Sequence, residues 1–289
     1  RVLDDGECAE SQKVHLMYGL SGLFPCHLIL ADDERNAKEI YEDYRFYDKN
    51  VYFYPAKDLL FFQADIHGNL LIRQRMRVIR ALLEQEEVTV GTSMDFLMPL
   101  EKIKSSLLHF KSDSVIDLDQ LKADLVDLGY ERVGQVELPG QFSVRGGILD
   151  IYPLTEELPV RIELWDTEVD SIRTFDLESQ RSIEQLDEID IYPATEIVLT
   201  KKQAREGIER IRSEAKVFAE KLRAQQNTEE AYRISGIVKE LTEGIGEGWK
   251  QTGLDAWISY FNKETVSFLD YFDPERSMIF LDEPLRLKE

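Results

Sequence analysis

Through its first hundred or so residues this sequence alternates short apolar runs with charge-rich amphipathic segments, and that rhythm admits few folds. "KVHLMYGLSG" reads as a buried strand running into a glycine loop, "CHLILADD" as a second apolar strand ending in acids, and "ERNAKEIYEDYRFY" as a helix. "NVYFYPA", "IRQRMRVIRALLEQ" and "EVTVGTSMDFLMPL" continue as strand, helix and strand. Strands taken in turn with helices predict an α/β domain with a parallel, doubly wound sheet over residues 1–115. One connection does not fit. Only Leu23, Phe24 and Pro25 separate "GLSG" from the strand at Cys26, whereas a parallel crossover takes about a dozen residues or more. Either this is not a crossover or residues are missing near Gly22, and the second reading is the expectation.

The texture changes over residues 116–197. "SVIDLDQLKADLVDLGYERV" supplies one helix after an Asp/Ser-rich lead-in. "GQVELPGQFSVRGGILDIYP", "VRIELWD", "EVDSIRTFD" and "IDIYPA" then read as short strands between Gly, Pro and Asp turns, an inserted α+β module with an antiparallel sheet. Residues 198–289 read as helical to about residue 240, loosen at "EGIGEGWKQTG", and close on "SMIFLDEP", an apolar strand delivering Asp282 and Glu283 at its carboxyl end. Open α/β sheets bind ligands at such strand ends. This last segment is expected to complete the first domain.

Within the middle module, residues 143–170 read as two strands joined by a short loop. Along "VRIELW" strand side chains alternate, so Val160, Ile162 and Leu164 form a core face while Arg161, Glu163 and Trp165 point the other way. That outer set places an indole among charges with nothing specified to cover it. Ser143 and Arg145 fall at matching parity on the expected hairpin partner.

Composition excludes several roles. With 43% hydrophobic residues and no apolar run near the ~20 residues of a membrane span, the chain reads as a soluble protein. Its start lacks the features of a secretory signal, so the expected compartment is the cytoplasm. Cys8 and Cys26 have no His at ligand spacing and read as reduced thiols, and no metal site is expected. The 35 basic and 56 acidic residues give a net charge of −21, which repels nucleic acid at long range. Residues 201–216 carry six basic and three acidic side chains, but Ile208 and Ile211 mark them as the start of an amphipathic helix with a solvated charged face.

Two features outline a nucleotide site without its chemistry. Gly19 and Gly22 follow the first expected strand, and Asp282 and Glu283 resemble the acids that hold magnesium in phosphate-loop enzymes. A working loop needs a Lys for the terminal phosphates and a Ser/Thr for the metal, and "GLSGLFPC" has neither. These four positions are expected to be inactive relics. No nucleophile with an adjacent base is evident, and no catalytic residue or cofactor is expected.

The run "GQFSVRGGILDIYPLTEELPVRIELWDTEVDSIRTFDLESQRSIEQLDEIDIYPATE" resembles the amino-terminal, UvrB-like region of the bacterial transcription-repair coupling factors, the Mfd family. The resemblance implies a degenerate phosphate-loop-like domain built from both chain ends and an inserted module that docks onto UvrA. It implies that RNA polymerase and DNA are engaged by other regions of a longer protein. Carried over position by position, it makes Arg145, Arg161 and Trp165 the UvrA-binding residues, with Glu163 beside them and Asp166 and Glu168 at the rim. Relatives often have Phe where this sequence has Trp165. The competing reading of the face is an exposed sheet surface paired across its own strands, with Arg161 stacked on Trp165. Two further functions compete with docking: residual ATP hydrolysis through Asp282 and Glu283, and UvrB-like binding of damaged DNA through the segment near "PAKDLLFFQADIHGN".

Overall fold

A computed structural model describes residues 10–56, 65–84, 88–91, 96–246 and 257–288. In chain order the elements are α1 (Glu10–Ser21), β1 (Cys26–Leu30), α2 (Glu34–Tyr44), β2 (Val51–Tyr54), α3 (Asp65–Glu84), β3 (Val88–Gly91), β4 (Phe96–Leu97), α4 (Leu100–Lys104) and β5 (Leu108–Lys111). There follow α5 (Leu118–Asp127), β6 (Glu131–Arg132), β7 (Gln141–Arg145), β8 (Ile148–Ile151), β9 (Val160–Trp165), β10 (Glu168–Phe175), β11 (Ser182–Leu186) and β12 (Glu188–Ile191). The chain closes with α6 (Lys201–Ala224), α7 (Thr228–Gly246), α8 (Ile258–Phe261), β13 (Val266–Ser267) and β14 (Ser277–Leu281).

The described residues divide into two units, one drawn from both ends of the chain and closing with Ser267–Glu289, the other containing Phe96–Val266. The first unit is a four-stranded parallel sheet in the order β14-β1-β3-β2. Its core gathers Ile29 and Val90 from the sheet, Val14 and Met17 from α1, and Ala37, Ile40 and Tyr44 from α2. The pairing of β14 with β1 is what brings the two ends of the chain into one sheet.

The amino end corrects an expectation. "KVHLMYGLSG" is not a strand: all but its last residue lies in α1, with Val14 and Met17 three apart on the buried face. Short apolar runs fit either period, and here helical spacing prevails. Gly19 therefore sits within a helix and Gly22 in the turn after it, where Leu23 N–H donates to the Leu20 carbonyl at 3.2 Å. Among the described residues no strand precedes them, and the expected strand is itself helical, so they do not form a phosphate loop of the expected kind. A helix-to-strand connection needs only a few residues, so the short link to Cys26 requires no missing segment.

The second unit holds the six-stranded sheet β11-β10-β9-β8-β7-β6, antiparallel throughout except for β6 beside β7. Asp117 caps α5, accepting from the backbone N–H groups of Asp119 and Gln120, and the helix lays Leu121 and Leu125 on Phe142, Leu149, Val160, Ile162 and Ile172. β5 pairs antiparallel with β12 and contributes Phe110 to this core, so the module's first strand lies ahead of residue 116. Further along, α6 begins at a Thr200/Gln203 capping box and buries Ile211 with Ile197, Leu199, Val238, Ile258 and Phe261.

Candidate partner-binding face of the six-stranded sheet

Residues 143–170 contain four strand segments rather than two: the end of β7, then β8, β9 and the start of β10. "RGG" makes the first hairpin. Arg145 pairs with Ile148 across a two-residue turn in which Gly146 takes φ 61°, the left-handed conformation such turns require. Gly147 then passes so close to β9 that a Cβ there would lie 2.8 Å from the Leu164 carbonyl oxygen. The direct neighbour of β9 is therefore β8, with β7 one strand further out.

That register aligns Ser143, Asp150, Arg161 and Arg173 across four strands. Asp150 is buried, its side chain only 3% exposed, and it is held from two sides. Arg161 donates Nε to Oδ1 at 2.6 Å and Nη2 to Oδ2 at 2.9 Å, while Arg145 donates Nη2 to Oδ2 at 3.0 Å. A buried carboxylate is tolerated when charge and hydrogen bonds are both satisfied, and a guanidinium fork supplies both. The same pairing raises the Arg161 pKa above its ordinary value.

The two arginines differ. Arg161 is 14% exposed: its Nη2 also donates to the Gln180 amide oxygen at 2.9 Å, and its guanidinium lies 4.4 Å from the centre of the Phe175 ring. The competing reading places Arg161 on Trp165, but its guanidinium lies over Phe175 instead. Arg145 is 53% exposed and leaves most of its donors facing solvent.

Trp165 ends β9 and is 80% exposed. It pairs with Glu168 across a turn in which Asp166 takes φ 60°, a conformation Asp tolerates better than most residues. Both acids are exposed beside the indole. Glu163 is half-buried and engaged within the sheet, accepting from Ser171 Oγ at 3.3 Å and pairing with Arg173. Ser143 is buried, with its hydroxyl donated to the Gly134 carbonyl at 3.1 Å, so it contributes nothing to the outer surface. Asp150 was missed by sequence reasoning. Its signal is an acid between Leu149 and Ile151 on an otherwise apolar strand.

The other expected constellation lies in the first unit. Asp282 follows β14 and is buried, with its backbone N–H donated to the Leu30 carbonyl at 2.8 Å. Lys13 Nζ lies 2.9 Å from Asp282 Oδ1 and 3.6 Å from Glu283, and Asn36 Nδ2 donates to Asp282 Oδ2 at 2.6 Å and to Asp32 at 2.8 Å. Arg286 pairs with Asp32 at 3.0 Å. The carboxylates that would hold a metal are thus occupied by an ammonium and an amide, and the contact with Asp282 raises the Lys13 pKa. Among the described residues no three His, Cys, Asp or Glu side chains gather around a common metal position. The segment near "PAKDLLFFQADIHGN" falls largely outside the described residues. No described helix is long and apolar enough to cross a membrane.

Residues 108–197 match the UvrB interaction domain. The chain is 39% identical over 246 residues to the transcription-repair-coupling factor of Bacillus subtilis (strain 168), covering 84% of this chain and 21% of that protein. It is 32% identical over 250 residues to the same-named protein of Staphylococcus aureus (strain MRSA252), covering 83% and 20%. The chain thus spans about a fifth of the length of the curated relatives it matches. It is similar over most of its own length to transcription-repair-coupling factors, and the Arg145–Asp150–Arg161 face lies within its match to the UvrB interaction domain.

Proposed function

We propose that this chain is a non-catalytic docking region that binds UvrA through the outer face of β7, β8 and β9, and so recruits it to stalled RNA polymerase in transcription-coupled excision repair. The observation that carries the reading is a half-exposed Arg145 and a solvent-exposed Trp165 on one sheet, inside the segment that matches the UvrB interaction domain. Arg and Trp dominate interface hot spots because each joins large contact area to directional polar groups. Arg145 and Trp165 make direct contact, with Asp166 and Glu168 at the rim. Contacts with RNA polymerase and DNA belong to other regions of a longer protein.

The occupied Asp282 supports a structural role for the first unit. It serves as a scaffold without nucleotide chemistry, with Lys13 paired to the buried Asp282. The cytoplasm is the compartment in which these partners meet.

Competition tests the docking reading. An excess of the purified chain is expected to displace UvrB from UvrA, since the matched segment is the one named for UvrB. Co-binding of the chain and UvrB to one UvrA site, or no effect on the UvrA–UvrB complex, contradicts a shared surface.

A further inference from the structure

We infer that Asp150 is the positioning residue of this face: held by Arg161, it orders Arg145 for the partner. The inference rests on the docking reading above. Three observations carry it.

Three of the five donors of Arg161 are committed inward. Its Nε and Nη2 are spent on Asp150 and Gln180, one face of its guanidinium lies over Phe175, and its side chain is 14% exposed. A partner that drew those three donors away would leave a buried carboxylate short of its counter-charge.

Asp150 has no route to the partner either, being buried beneath the two guanidiniums. What it can do is fix Arg145. That side chain precedes a glycine turn and would otherwise sample many rotamers, and ordering a long flexible side chain on binding costs affinity. The Asp150 Oδ2 contact at 3.0 Å orders it beforehand while leaving its remaining donors outward.

The geometry also specifies the partner's chemistry. Arg145 gives one donor to Asp150 and keeps the rest, so the surface it meets carries a carboxylate or a backbone carbonyl. Trp165, flanked by Asp166 and Glu168, fits an apolar socket with basic residues at its margin.

A double-mutant cycle tests the assignment with a readout that a merely structural role leaves unchanged. The affinity for purified UvrA is measured for the unmodified chain, Arg145→Ala, Asp150→Asn and the combined variant, with urea denaturation of each. Arg145→Ala is expected to weaken binding by about 30-fold in the unmodified background. In the Asp150→Asn background it is expected to weaken binding by less than about 5-fold, because the guanidinium is no longer held there. Arg161→Lys, which keeps the charge and loses the fork, is expected to weaken binding as Asp150→Asn does and to add nothing to it. If Asp150→Asn alone unfolds, the cycle is run on Asp150→Asn/Arg161→Gln, which removes both charges of the buried pair together. Binding with independent, multiplicative penalties overturns the positioning role and leaves the docking reading standing. Failure of the unmodified chain to bind UvrA overturns both.

Discussion

Arg161 and Asp150 form a two-point fork, Nε to Oδ1 at 2.6 Å and Nη2 to Oδ2 at 2.9 Å, between directly paired residues of adjacent strands. The fork converts a row of outward residues into a layered site. The charge that secures the sheet lies beneath, and the groups free to meet a partner lie above.

The layering separates stability from binding. Arg161→Ala leaves the buried Asp150 with Arg145 alone and is expected to cost about 3 kcal/mol of folding free energy. Arg145→Ala removes a half-exposed partner and is expected to cost less than about 1 kcal/mol. Urea denaturation of the two variants checks the ordering, and equal losses would contradict it.

Gly207 in α6 faces the Phe261 ring so closely that a Cβ would fall 2.2 Å from Phe261 Cδ1. Phe261 is buried in the core shared by α6, α7 and α8. Gly207→Ala gains up to about 1 kcal/mol of helix propensity, but overpacking is expected to outweigh it, for a net loss of about 1–2 kcal/mol. Combining it with Phe261→Leu should recover part of that loss in thermal denaturation.

His27 on β1 is buried beside Phe280, and burial lowers its pKa below the ordinary value. The unfolded chain therefore takes up the proton first. His27's contribution to stability is complete above about pH 6.5 and is lost as pH falls from there toward the folded-state pKa. Denaturation midpoints at pH 7.5 and pH 5.5 are expected to differ more for the unmodified chain than for His27→Leu.

Lys13 is expected to be structural. Lys13→Met removes the cation from the buried Asp282 and leaves Asn36 as its side-chain donor, at a cost of about 1–3 kcal/mol. Magnesium-dependent ATP turnover is expected to be indistinguishable from a buffer blank in both proteins. Turnover that Asp282→Asn abolishes would restore the nucleotide-hydrolase reading.

Particular residues show how far the sequence carries the account. The alternation in "VRIELW" marks Val160 and Ile162 as buried and Trp165 as exposed, because strand period alone decides the face. Cross-strand register is not legible, since it depends on the Gly146–Gly147 turn, and so Asp150 stays hidden in the sequence while Arg145 and Ser143 fall on the wrong neighbouring strand. α1 reads as a strand because its apolar run suits both periods. β11 escapes notice because it is a sheet-edge strand with four exposed residues and little apolar contrast along its length.

The most direct measurement is isothermal titration of UvrA with the unmodified chain, Arg145→Ala and Trp165→Ala, each first shown by urea denaturation to be folded at the titration conditions. The account predicts saturable binding by the unmodified chain and a loss of about 30-fold or more in each variant, the cost of truncating an interface hot spot. Unchanged affinity in both variants, with folding intact, would contradict the claim that this face is where the partner docks.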